Sequence, residues 1–267
     1  MNSSSADRAR GRVQSVERAV TILEFLARNE WSGVTDIGNE LGVHKSTAGR
    51  ILSTLEGRGL VEQHVDSGKY RLGIGLVHLA RAVTVEPELT REAKPVCAWL
   101  AQLTEETVTL TVLDGDECVT IDQIISTSDV VSRSWLGRRM PLHCTSPGKV
   151  FMAFLPASRR AKLIAGPHER RTERTITEPG QLREEIEQIR VDGYATTFEE
   201  FEEGLSSAAA PVRGPDGTVV AVIGLSGPSY RLDEDQLRQV APVVRDAAKQ
   251  ASSRIGYWHR DDRAGGE

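Results

Sequence analysis

The sequence predicts an α+β protein of two domains: a small helical one carrying a short hairpin, and a larger one with helices around a central antiparallel sheet. Three observations predict it. Residues 34–58 carry two apolar stripes at three-and-four spacing, broken at Gly42, the pattern of two helices joined by a tight turn. Residues 60–73 follow with two short runs around Asp66-Ser67-Gly68, a hairpin signal. From Leu89 onward, helical patterns mix with strand patterns: Val108, Leu110 and Val112 alternate before Asp114-Gly115, and apolar runs flank Pro215-Asp216-Gly217. At 267 residues the chain is long enough to give each domain its own core.

Residues 1–12 are rich in Ser and Arg without any period and read as a disordered arm, either a basic arm reaching DNA or a solubilising tail. Ser15 caps a helix to Arg28 whose inner face is Val16, Ala19, Val20, Leu23, Leu26 and Ala27, and Trp31 in the following linker is a lid on the domain core. Thr35 is the expected cap of the next helix, with Ile37 and Leu41 facing inward and Gly42 taking a left-handed conformation. A second helix from His44 to Arg58 buries Ala48, Ile51, Leu52 and Leu55. Its outer face holds Lys45, Ser46, Thr47, Gly49, Arg50, Ser53 and Thr54. Arg reads guanine through two hydrogen bonds, Lys and hydroxyls hold phosphates, and Gly49 permits close approach. A helical hairpin with a solvated outer face would share this pattern. The run after it, with Val61, Val65, Tyr70 and Leu72 as apolar anchors, has the position of a wing, so residues 13–73 read as a winged helix-turn-helix. Thr35 and Lys69 complete the expected DNA-binding set. Residues 74–88 form a linker helix with Leu76, Val77, Ala80 and Val83 on one side, a face for its own domain or for a second copy.

The larger domain spans residues 89–256. A helix with Ala93, Val96, Leu100 and Leu103 precedes a hairpin of Val108–Val112 and Cys118–Ile125, and Val130 to Leu136 reads as a further strand. Ser146 is expected to cap a helix starting at Pro147 and running to Leu155. A helix from Gln181 to Arg190 buries Leu182, Ile186 and Ile189 and ends at Asp192-Gly193. The near-continuous apolarity of Val219 to Leu225 marks a central strand, with Val219, Ala221 and Ile223 on one face and Val220, Val222 and Leu225 on the other. The last helix, Asp235 to Ile255, turns Leu237, Val240, Val244, Ala247 and Ala251 inward, and residues 257–267 form a polar tail.

Charge and cysteine content narrow the function. The net charge is −5, yet the first 90 residues hold 11 Lys+Arg and 11 Asp+Glu, so the acidity lies away from the helical hairpin. Attraction to phosphate must come from placed residues such as Arg8, Arg10, Arg12, Lys45 and Arg50. No apolar run has the length of a membrane span, no apolar leader opens the chain, and Cys97, Cys118 and Cys144 suit unpaired thiols in a cytoplasmic protein without membrane partners. No cofactor or metal site is expected. Gly148-Lys149 does not complete a phosphate-binding loop, because the first glycine of that motif would fall at His143 and the hydroxyl after the lysine at Val150. His143, Cys144 and Glu199 are types able to act as base, nucleophile and orienter, but nothing in their spacing joins them and no enzyme is expected.

Lys45-Ser46-Thr47, Arg50, Leu52, Thr54-Leu55-Glu56, Gly59 to Glu62 and Tyr70 to Gly73 match in place the "KST..R.L.TLE..GLVE" and "Y.LG" runs of the IclR family of bacterial transcription regulators, which the chain resembles from about Val13 to Gly256. Pro141-Leu142-His143, Thr145, Gly148-Lys149, Ala153 to Leu155, Arg174 to Thr177, Glu199-Glu200 and Gly204 resemble the family's second domain. The resemblance implies a GAF-like effector-binding domain that takes small organic acids or aromatic metabolites, here a small carboxylate or oxo-acid with ureide breakdown products and aromatic acids as alternatives, and with Met140, Ser146, Pro147, Thr197, Leu205, Ser207, Gly224 and Ser226 as the lining. It also implies a homodimer, or a dimer of dimers, on an operator in double-stranded DNA, most often as a repressor of a catabolic operon. Gly204-Leu205-Ser206-Ser207-Ala208 stands where relatives often carry Arg and Cys, and Thr197 where an acid is common; a neutral Thr197 tolerates an anionic ligand better. Strand-end hydrogen bonding within the fold is the plainer reading of these hydroxyls. A DNA-binding assembly factor without a small ligand, and an enzyme tethered to DNA, are the alternatives for the whole chain.

Overall fold

The computed structural model describes residues 13–82, 87–125 and 134–257. The chain divides into two compact units between Val85 and Glu86. The expected arm, with Arg8, Arg10 and Arg12, lies outside the described residues, as do Val83 of the linker helix and Val130 of the strand expected at 130–136.

The first unit packs α1 (Gln14–Arg28), α2 (Val34–Glu40) and α3 (Lys45–Glu56) around Ile22, Leu26, Ile37, Ala48, Leu52 and Leu55, closed by Val61 and Tyr70 of the hairpin β1 (Val61–Gln63) and β2 (Tyr70–Leu72). A short helix, α4 (Gly75–Ala82), follows. Three local expectations change. Val13, not Ser15, holds the cap position of α1, without a side-chain bond, and the helix is rotated so that Ile22 and Phe25 point inward while Val16, Val20 and Ala27 face out. Gly33, not Thr35, caps α2, and its N–H donates to the Asp36 carboxylate at 3.3 Å. Val65 is 96% exposed at the tip of the wing rather than an anchor, because β1 ends at Gln63 and the turn begins sooner.

The second unit is a six-stranded antiparallel sheet of order β5-β4-β3-β8-β7-β6, built from β3 (Thr107–Asp114), β4 (Glu117–Ile124), β5 (Arg139–Pro141), β6 (Ala195–Phe198), β7 (Leu205–Arg213) and β8 (Val219–Pro228). On one face α5 (Pro87–Thr104) and α9 (Glu234–Arg254) bury Val96, Leu100, Leu237 and Val244 against Leu110, Ala210, Ile223 and Leu225. On the other, α6 (Ser146–Phe154), α7 (Ala157–Ile164) and α8 (Pro179–Asp192) bury Val150, Phe151, Leu182 and Ile186 against Met140, Ala209 and Val222. Strand β8 is central, as its apolarity requires, but Leu225 shares the face of Ile223, and a register shift at Val212/Arg213 turns Val220 to that side as well. Leu103 lies on the exposed side of α5, where Cys97 and Ala101 take the inner positions. Leu136 makes only an isolated bridge to Thr120, and the edge strand is β5, three residues later.

Candidate nucleic-acid interface and ligand cavity

Helix α3 is preceded by His44, which has the extended backbone of a cap without a side-chain bond and whose carbonyl accepts the Thr47 amide at 2.9 Å. Lys45, Ser46, Arg50, Ser53 and Thr54 are exposed, with Thr47 and Gly49 half-buried between them and Thr35 exposed on α2. Among the described residues Lys45, Arg50 and Lys69 form no ion pair, so their charges are available to a polyanion. The Thr54 hydroxyl donates instead to the Arg50 carbonyl at 3.0 Å, which occupies its proton within the helix. Trp31 braces the wing: the Arg71 guanidinium lies 4.7 Å over its ring, His64 meets it edge-on at 5.3 Å, and Ser32 pairs with Tyr70. His64 Nδ1 also accepts the amides of Asp66 and Ser67, so one imidazole shapes the turn that carries Val65 and precedes Lys69. Nothing in the linear pattern pointed to His64.

In the second unit the chain from β5 into α6 turns sharply. A Cβ on Gly148 would lie 2.4 Å from Leu142 Cα, so only glycine lets the first turn of α6 press against the end of β5. Thr145, not Ser146, caps this helix: its hydroxyl accepts from the Gly148 amide at 3.2 Å and donates to the Pro141 carbonyl at 2.7 Å. Ser146 is thereby released for another task. Its Oγ lies 2.7 Å from Ser207 Oγ, which lies 2.7 Å from Thr197 Oγ1, a chain of three hydroxyls linking α6, β7 and β6.

This chain edges a cavity. Met140, Ser146, Pro147, Thr197, Leu205, Ser207, Gly224 and Ser226 all line it, joined by Thr109, Thr120, Trp135, Thr145, Phe201 and Leu225. It is a small cavity of about 40 Å³. No side chain of the lining carries a charge, and a Cβ on Gly224 would come within 2.9 Å of Thr109 Oγ1, at the sheet floor. Aromatic walls Trp135 and Phe201, 6.3 Å apart, escaped the sequence reading because they lie in segments without periodicity.

Next to the cavity is a buried ionic cluster. Lys149 is 0% exposed, and its Nζ donates to Glu200 at 2.6 and 2.7 Å and to Glu185 at 2.6 Å. Burial pushes the Glu200 carboxyl above the ordinary carboxylate range against the pull of Lys149. The lysine of the rejected phosphate-loop motif is thus a tie between α6, α8 and the β6–β7 loop that carries Phe201. His143 donates from Nε2 to the Glu169 carbonyl at 2.9 Å and stacks on His168, and burial holds its imidazole below the ordinary value. Burial also pushes the Cys144 thiol up to about 12. Glu199 accepts from the Ser229 hydroxyl at 2.5 Å, so His143 and Glu199 have separate partners. Among the described residues no cluster suited to a metal ion occurs, and no helix is long and apolar enough to cross a membrane.

Comparison with known proteins agrees with both units. The model of the IclR helix-turn-helix domain matches residues 15–64, and that of the bacterial transcriptional regulator IclR C-terminal domain matches residues 81–253. The transcriptional regulator KdgR of Escherichia coli is 34% identical over 258 residues, 96% of this chain and 98% of KdgR. The transcriptional repressor AllR of Salmonella typhimurium is 33% identical over 245 residues, 91% of this chain and 90% of AllR. The solved IclR of Thermotoga maritima is 28% identical with a TM-score of 0.78, covering 92% of this chain and all of that one. With a helix-turn-helix in the first unit, a cavity in the sheet domain and relatives that span the same length, the chain belongs to the IclR family of bacterial transcriptional regulators.

Proposed function

We propose that this chain is a cytoplasmic, homodimeric repressor of a catabolic operon whose grip on its operator is changed by a small carboxylate or oxo-acid held in the cavity of the second unit. The observation that carries the ligand half is the convergence of uncharged, hydroxyl-bearing residues from α6, β6, β7 and β8 on one cavity at the start of a helix. The hydroxyls of Ser146, Ser207 and Thr197 can donate to an anion, and the absence of any lining carboxylate removes the repulsion it would meet. For the DNA half, Arg50 reads a base edge, Lys45, Ser46, Thr47 and Ser53 hold phosphates or sugars beside it, Gly49 admits the groove wall, Thr35 and Thr54 flank the contact, and Lys69 reaches the backbone from the wing.

The test is fluorescence anisotropy of the purified protein on DNA from upstream of its own gene, at one salt concentration, with and without a panel of small organic acids. A coupling of about 1 to 3 kcal/mol between the two sites would change operator affinity roughly 5- to 150-fold. Tight, sequence-preferring binding that one acid alters is the expected result. Tight binding unmoved by any acid that binds the protein would favour an assembly factor over a ligand-responsive repressor.

A further inference from the structure

The turn of the wing is held chiefly from His64. Val65, beside it, is 96% exposed and gives the turn no apolar anchor. Of the four backbone amides from Asp66 to Lys69, three are accepted by His64: its Nδ1 faces those of Asp66 and Ser67 at 3.3 and 3.4 Å, and its carbonyl takes that of Gly68 at 2.9 Å. The amide of Lys69 goes to Ser67 Oγ at 3.4 Å, and Gln63 Nε2 donates to the Gly68 carbonyl at 2.9 Å. The His64 amide in turn donates to the Lys69 carbonyl at 2.8 Å, so the residue that organises the turn is paired directly with the cation that leaves it. Two amides can share Nδ1 only while that nitrogen carries no proton, which puts the ring proton on Nε2. Trp31 sets the angle of the imidazole by meeting it edge-on, and the Arg71 guanidinium, ion-paired with Glu62, lies over the same indole.

We infer that His64 is a positioning residue for DNA binding: its neutral imidazole holds the wing turn in one shape and thereby places Lys69 against the phosphate backbone. This rests on the reading of Lys69, an exposed residue, as a DNA contact. A loose loop must give up conformational freedom when its cation seats on DNA, whereas a turn shaped beforehand has already given it up. The position needs an acceptor, not a ring. Asparagine, whose side-chain oxygen takes backbone amides a few residues on, can do the same work, while phenylalanine keeps an aromatic ring for Trp31 and offers no acceptor.

The test is fluorescence anisotropy of the full chain on a labelled duplex that the wild type has selected from a random pool, over a range of salt and at pH 8, because the acceptor role requires a neutral ring. Lys69→Ala should weaken binding and lower the salt slope by about one. His64→Phe should weaken binding about three- to tenfold, the worth of ordering a side chain before binding, and His64→Asn should return to within about twofold of wild type. Adding His64→Phe to Lys69→Ala should cost nothing further, since the first acts only through the second. Unchanged binding in His64→Phe, binding as weak in His64→Asn as in His64→Phe, or an equal loss with and without Lys69 would each overturn the inference; a loss caused by unfolding would show as the last of these. If Lys69→Ala alone alters neither affinity nor slope, the reading of Lys69 as a DNA contact fails instead.

Discussion

Two side chains of the turn into α6 show how residue chemistry and position divide the work. Thr145 and Ser146 are both good caps by type, and the sequence alone favoured the one before Pro147; the geometry gives the cap to Thr145 and turns Ser146 to Ser207. His143 offers a measurable consequence. Its Nε2–H is donated to the Glu169 carbonyl in the neutral form, while burial, His168, Lys149 and Arg171 all disfavour the cation. A histidine whose folded pKa lies below its unfolded value binds fewer protons when folded, so the stability it contributes is complete above about pH 6.5 and is lost as pH falls through that range. The melting temperature of the protein is expected to drop on acidification from pH 7 to 5, with a shallower slope in His143→Gln; equal slopes would remove His143 as the cause.

At the scale of elements, Lys149 is the tie that the pattern of α6 could not announce. It immediately precedes an apolar run, Val150 to Phe154, and Glu185 and Glu200, from α8 and the loop after β6, allow it to be buried. Removing one member of a buried ion cluster leaves the others charged and unpaired, at a cost of about 3–5 kcal/mol. Lys149→Met should lose stability of that order in urea denaturation, and Lys149→Met with Glu200→Leu should recover a substantial part. A single variant as stable as wild type would show that the cluster holds nothing. The wing is legible in part for the same reason: its turn, Asp66-Ser67-Gly68, follows local rules and Gly68 takes the left-handed conformation, whereas the bracing of that turn by Trp31, His64 and Arg71 joins segments far apart in sequence.

For the whole molecule, the exposed face of α3 predicts that Arg50→Ala leaves folding intact and removes discrimination between operator and random DNA by about 1–3 kcal/mol, read by anisotropy with competitor. Lys45→Ala should weaken both kinds of DNA alike and lower the salt dependence by about one unit of slope. Unchanged affinity and sequence choice in Arg50→Ala would move the reading face elsewhere. The sequence by itself determined the class of both units, the helix-turn-helix and its wing, the central place of β8 and the family, because periodicity, turn residues and contiguous motifs are properties of neighbours along the chain. The eight cavity residues could be named from family likeness, but only the tertiary structure brought Thr109, Thr120, Trp135 and Phe201 to them, took Val65 and Leu103 out of the core, and gave Lys149 its partners. Those outcomes depend on which strands pair and which way each helix is rotated, and the hydrophobic free energy that decides them is summed over surfaces distant in sequence.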